Sequence, residues 1–304
     1  MALEVSPKQI DTRDRWVATL AESASSFAAT SRRTFEVLRR EVDVEGYEQL
    51  LSHLRFCGVI PERYRHDSTE EKAYSKYTDS VIAEALTFIG LNAVVLDGRA
   101  DMADVEAAAA DYDLVADAKA FRLTRTAKNQ KDFKVAAMDR WRYSKEFAVV
   151  VAPIDQLPTR NSQIYLDASS RNVCVLSYSH LAAVVQSKVT IGEEFAVNLL
   201  RGLLAEPGLM NPSKDAQAYW RSLNRVLLGS ASEMRDIWKV EKEANIAAVG
   251  VLKTEGLNYY SEERTSILRL SHQEALDRLL DSYKIDDKIA AIRRFAGNGL
   301  LDID

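Results

Sequence analysis

Cysteine is scarce in this sequence. Cys57 and Cys174 are the only two in 304 residues, each in an apolar setting (LRFCGVI and NVCVLS), and no CxxC or Cys/His spacing occurs. That pattern argues against a disulfide framework or a zinc site and predicts two buried thiols in a reducing compartment. Long uncharged apolar runs are absent too, and the first residues, MALEVSPKQIDTRDRW, carry charges where a signal peptide needs an apolar stretch. A membrane span and a secretory leader are therefore not expected, and a cytoplasmic protein is. Internal repeats and low-complexity segments are also missing, which removes solenoids and disordered tails.

What is present is ordinary globular composition, with 47% apolar and 28% charged residues and a net charge of −5. Residues 8–57 show apolar residues at helical spacing: Trp16, Leu20, Phe27, Phe35, Leu38, then Tyr47, Leu50, Leu51 and Leu54. Pro61 closes that region, and a charged connection follows to Thr69. A further helix is predicted from Thr69, capped by Ser68 or Thr69, with Val81, Ile82, Ala85, Leu86 and Ile89 as its core stripe and Gly90 as its stop. A short extended piece, 93–96, and a hairpin, 105–109 with 114–121, come next. Residues 131–146 read as helix, FAVVVA (147–152) and NVCVLS (172–177) as buried strands, and 180–187 as helix. Beyond about residue 195 the pattern is helical throughout, with Ser271 and Glu274 spaced as a capping box. The implied architecture is α/β, a mixed central sheet flanked by helices, with a helical region at 1–66, the core at 67–194 and a helical region at 195–304, either as separate regions or as one continuous domain.

The chemistry concentrates between Asp104 and Lys134. In Leu114-Val115-Ala116-Asp117-Ala118-Lys119 strand alternation puts Asp117 and Lys119 on one face. Carboxylates on separate strands can hold Mg²⁺, which prefers oxygen ligands and keeps waters. Asp104 and Asp117 are the candidate ligands, with the backbone carbonyl of Ala118 a third, and Lys119 faces the water to be activated. Asp97 and Asp132 are near enough in sequence for an outer shell or a second metal position. The competing explanation of Asp117 and Lys119 is an ion pair at a strand end, since an acid, a spacer and a lysine recur by chance. Behind them, from Lys119 to Lys145, nine bases face two acids, a net +7 in an acidic chain. Segregated positive charge of that kind favours phosphate contact. Arg122, Arg125, Lys128, Asn129, Lys131 and Lys134 are the candidate DNA-binding residues, with Asn129 suited to an adenine edge and Lys131 or Arg125 to guanine. Asn129-Gln130 serves equally well as a helix cap before Lys131.

LVADAKAFRLTRTAKNQKDFKVAAMDRWR closely resembles the central segment of the HindIII family of type II restriction endonucleases, and the similarity runs on through FAVVVAP, PTRNSQI and NVCVLSYSHLA and back to STEEKAYSKYTDSVIAEAL. Residues 60–190 are covered, and the helical ends match only in kind. The resemblance implies a PD-(D/E)xK restriction-endonuclease-like core and Mg²⁺-dependent cleavage of double-stranded DNA by a homodimer. It also implies the palindrome AAGCTT, cut to leave 5′ overhangs. Carried over by position, the motif's first acid is Asp104, its second Asp117 and its lysine Lys119, with Asp132 a further acid and 127–131 the recognition segment. Ala103 stands where the family has proline, and Asp97 where it has Glu. Such an enzyme implies a partner methyltransferase protecting the host genome. The remaining functional classes are a less specific repair or recombination nuclease on the same core, which would cut DNA unselectively, and a non-catalytic DNA-binding module, which would bind specific DNA without cutting it.

Overall fold

The computed structural model describes residues 5–22, 27–96, 102–125 and 130–294. The chain forms two compact units, Met1–Gly256 and Leu257–Asp304.

In the first unit three helices, α1 (Pro7–Glu22), α2 (Phe27–Glu45) and α3 (Tyr47–Phe56), precede the long α4 (Thr69–Ile89). Ser68 caps α4 by accepting the Glu71 N–H at 3.2 Å, and Glu70 and Glu71 lie in its first turn, where the helix dipole favours negative charge. Gly90 ends it at φ +131, a conformation that disfavours any side chain, and a Cβ there would also meet Glu193 at 2.9 Å.

A five-stranded sheet follows in the order β1 (Asn92–Val95), β2 (Val105–Ala108), β3 (Asp113–Ala118), β4 (Phe147–Ala152), β5 (Val173–Ser177). The first three strands are an antiparallel meander, and β3, β4 and β5 run parallel. Strands β4 and β5 are buried at every position, hence their unbroken apolar sequences. The parallel steps need crossovers, and helices supply them: α5 (Gln130–Phe133) and α6 (Val135–Trp141) between β3 and β4, and α7 (Gln163–Arg171) between β4 and β5. Then come α8 (Tyr178–Thr190), α9 (Glu193–Leu209), α10 (Ala216–Gly229) and α11 (Met234–Leu268). Ile82 and Leu86 of α4, Leu181 of α8 and Leu200 and Leu204 of α9 close over Leu114, Val149, Val151 and Leu176 of the sheet. The result is the expected mixed sheet flanked by helices, consistent with a restriction-endonuclease-like fold. Both cysteines are buried and unpaired, as their surroundings predict.

Two expectations need correction in detail. The helix predicted over 131–146 is broken at Lys134, whose left-handed backbone (φ 50) separates α5 from α6. The strand predicted to reach Phe121 leaves the sheet after Lys119. The Lys119 N–H still donates to Val151 O at 2.8 Å, but Phe121 bridges to Val59 and donates to Gly58 O at 3.1 Å. The second unit comprises the end of α11, α12 (His272–Ser282) and α13 (Ile285–Arg294), and Ser271 and Glu274 make the predicted capping box. Among the described residues no helix is long and apolar enough to cross a membrane.

Candidate active site

The site is assembled by the β2–β3 ladder and one turn of α4. Val105 pairs with Ala116, so Asp104, one step before, and Asp117, one step after, are drawn to the same end of the ladder. Leu96 N–H donates to Asp104 O at 2.8 Å and continues the β1–β2 pairing to that point. Helix α4 contributes a third carboxylate, Asp79. Oxygen atoms of Asp79, Asp104 and Asp117 all lie within 4.8 Å of one another.

Two lysines are threaded among these acids. Lys119 pairs with Asp117 Oδ2, and its own carbonyl accepts the Tyr178 hydroxyl at 3.1 Å, which holds the strand end in place. Lys76, one turn before Asp79, donates to Asp79 Oδ2 at 3.2 Å and to Asp104 Oδ1. The Asp79 and Asp117 side chains are 4% and 2% exposed, whereas Asp104 is 29% exposed, so the cluster is open to solvent on the Asp104 side. Burial raises the Asp79 carboxyl well above the usual carboxylate range, with the Asp104 charge adding to it and Lys76 opposing. Asp117 is also raised, first by burial and then by Asp104, with Lys119 opposing.

The residues present fit a hard divalent cation. The donors are all oxygen, which Mg²⁺ prefers. Asp117 Oδ2 is sealed from solvent, and Lys119 is the counter-charge that faces it. Three carboxylates within 4.8 Å, two of them buried and each raised by burial and by the Asp104 charge, are costly to keep ionised together unless a cation joins them. Asp79 escaped the sequence reading. The only signal that could have found it is its place one turn after Lys76 on the face of α4 that continues the core stripe.

The other candidate residues are distributed differently. Asp132 pairs with Arg125 at 2.5 Å and stands outside the three-carboxylate group. Arg125 also lies over the Phe121 ring, 3.7 Å from its centroid. Arg122 turns inward, donating to Glu71 at 2.5 Å and to Tyr64 O at 2.8 Å. Thr124 is clamped by Glu62 through its N–H (3.0 Å) and hydroxyl (2.8 Å), which gives the charged connection after Pro61 a role. Lys131 and Lys134 are exposed at the start of the crossover. Asp97, Lys128 and Asn129 lie outside the described residues. Further along, Arg142 and Lys145 pair with Asp139, Asp113 and Glu106, so part of the net +7 is neutralised within the fold.

Beside this cluster of three carboxylates and a lysine at a strand end stands the similarity of the sequence to known proteins. The model of the HindIII restriction endonuclease family matches residues 13–296. The chain belongs to that family. It is 34% identical over 253 residues to the type II restriction enzyme HindIII of Haemophilus influenzae, covering 81% of this chain and 83% of the relative. The resemblance first visible around TAKNQKDFK thus takes in both helical ends, and the protein is a HindIII-family type II restriction endonuclease.

Proposed function

We propose that this restriction endonuclease cleaves both strands of double-stranded DNA in a Mg²⁺-dependent reaction at the palindrome AAGCTT, leaving 5′ overhangs, and that it works as a homodimer on a PD-(D/E)xK core. The observation that carries the reading is the convergence of Asp79, Asp104 and Asp117 within 4.8 Å beside Lys119. Asp104, Asp117 and the Ala118 carbonyl would hold the metal, with Asp79 the third carboxylate. The bound ion would lower the pKa of a coordinated water and relieve charge on the phosphate.

The remaining work falls to the chain. Lys119, anchored by Tyr178, orients the attacking water and meets the negative charge that develops as it adds to phosphorus. The exposed Lys134 makes phosphate contacts that set the register without reading sequence. Asn129, with Lys131 or Arg125, reads base edges, a bidentate amide matching adenine and a cationic donor matching guanine. Arg122, Thr124 and Glu62 fix the strap that leads into that segment, and Asp132 holds Arg125 over Phe121. A palindrome suits two copies related by a two-fold axis, each cutting one strand. A methyltransferase that marks the same site is the functional partner.

The test is digestion of fully sequenced plasmid or phage DNA with Mg²⁺ and mapping of the ends. Discrete ends at AAGCTT are expected. Discrete ends at another hexamer would keep the enzyme class and overturn the base readers, and a smear would replace the specific reading with an unselective nuclease.

A further inference from the structure

Two lysines serve three carboxylates in this site, and only one of them has a part in the proposed reaction. Lys119 belongs to Asp117. Lys76 bridges Asp79 and Asp104, which lie on different elements, and its side chain is only 13% exposed. Surface lysines share their ammonium with water and contribute little to the carboxylates they touch. This one is withdrawn from water and directed at two acids of the cluster.

We propose that Lys76 is a built-in counter-ion: in the metal-free protein its ammonium stands at the Asp79–Asp104 side of the cluster, and a divalent cation entering there must displace it. The inference rests on the reading of Asp79, Asp104 and Asp117 as the metal site. Three carboxylates within 4.8 Å, two of them nearly sealed from solvent, repel one another strongly in a medium of low polarisability. Lys119 offsets one charge. Lys119 also acts on Asp79, and Lys134 on Asp117, but Lys76 is the cation that pairs directly with both Asp79 and Asp104. Without it those two would lose their nearest counter-charge, and the fold would hold an ion-hungry site at the cost of its own stability.

Position and chemistry both suit the role. Lys76 precedes Asp79 by one helical turn, so the two side chains leave α4 on the same face whatever the state of the site. Asp104, the most exposed of the three acids, is its other partner, so the ammonium stands on the side from which an ion arrives. A lysine is a compact charge on a flexible stem, able to withdraw without moving the helix, whereas a planar guanidinium would lock onto a carboxylate in a fork. Oxygen lone pairs of Asp79 and Asp104 that accept from Lys76 are not free to face a cation, so ammonium and metal compete. Metal affinity in the absence of DNA is then set below what three carboxylates would otherwise give.

Calorimetric titration of Mg²⁺ and Ca²⁺ into the full chain without DNA tests this, with Lys76→Gln, Lys76→Arg and Asp117→Asn beside the wild type. Lys76→Gln should bind either ion about tenfold or more tightly, and Lys76→Arg no more tightly than wild type. In thermal denaturation Lys76→Gln should melt below wild type without metal and gain more from added Mg²⁺. Lys76→Gln binding metal as wild type does, or more weakly, overturns the counter-ion role while leaving the metal site standing. A wild type that binds neither ion, or an Asp117→Asn chain that binds as wild type does, overturns the metal-site reading beneath it. Should Lys76→Gln fold only when Mg²⁺ is present, that supports the proposal; failure to fold with or without Mg²⁺ makes Lys76 a structural residue and overturns it.

Discussion

The carboxylates of Asp79, on α4, and Asp117, at the end of β3, come within 4.8 Å of one another inside the protein, although no motif in the chain connects them. Both have their acidity weakened, first by burial, and Asp104 adds repulsion to each. Such a pair is unfavourable for the metal-free fold and useful only toward a cation. Replacing Asp79 by Asn should therefore act in two opposite directions. Metal affinity should fall by about tenfold to a hundredfold and cleavage with it, while the metal-free protein should melt at a higher temperature. Calorimetry and thermal melts without DNA measure both. Unchanged metal affinity would make Asp79 a buried structural acid.

Lys119 is set where the strand leaves the sheet, its backbone held by Val151 and Tyr178 and its ammonium by Asp117. Lys119→Ala should abolish detectable cleavage, a loss of about a hundredfold or more, while specific DNA binding survives in a gel-shift assay with Ca²⁺. Removing one partner of a buried ion pair should also lower metal-free stability, by about 3 kcal/mol. Cleavage at the wild-type rate would remove Lys119 from the reaction.

Arg122 poses a sharper choice, because its sequence context reads as phosphate contact and its structure reads as internal support. Its guanidinium donates to Glu71 and to Tyr64 O, tying the strap after β3 to the start of α4. Arg122→Ala should cost about 2 kcal/mol of stability, since it strands a partly buried carboxylate. The salt dependence of DNA binding should keep its wild-type slope. A slope shallower by about one would mean that Arg122 touches phosphate in the complex.

How much of this was legible in the sequence depends on how local each determinant is. The capped and glycine-stopped α4, the apolar β4 and β5 and the Ser271–Glu274 capping box rest on contacts a few residues apart, and all formed as expected. Asp117 and Lys119 share a face because side chains alternate along a strand, and Asp104 joins them because a hairpin returns. Asp79 and Lys76 arrive from a separate helix, and only tertiary packing places α4 against that strand end. The break at Lys134 was hidden for the opposite reason: a left-handed lysine has no composition signal, and the flanking apolar residues keep helical spacing on both sides. The basic run was legible as charge but not as geometry, since partners such as Glu71 and Glu62 lie far away in sequence.

His180 supplies a pH dependence independent of the active site. Its ring is wholly buried between Trp220 and Trp238, with Nδ1 at 2.6 Å from the Ser177 hydroxyl and Nε2 at 3.0 Å from Asn224 Oδ1. A neutral ring donating to Asn224 and accepting from Ser177 satisfies both nitrogens, and a second ring proton would force the Ser177 hydroxyl to turn its own hydrogen away and would place a charge in a wholly buried site. Burial accordingly lowers its pKa from 6.5 to about 4, with the Asn224 contact opposing. Between those values the unfolded chain binds the proton and the folded chain does not, so the stability that neutral His180 provides is complete above pH 6.5 and drains away as pH falls toward 4. The loss attributable to this group is about 3 kcal/mol at most. Carboxylates titrate in the same range, so the measurement is a comparison: urea unfolding of wild type and His180→Gln at neutral and at mildly acidic pH. His180→Gln should start less stable, because its amide cannot reproduce both ring contacts, and should lose less on acidification. Equal losses in the two chains would mean that His180 takes up its proton as readily folded as unfolded, and that the Trp220–Trp238 sandwich admits water.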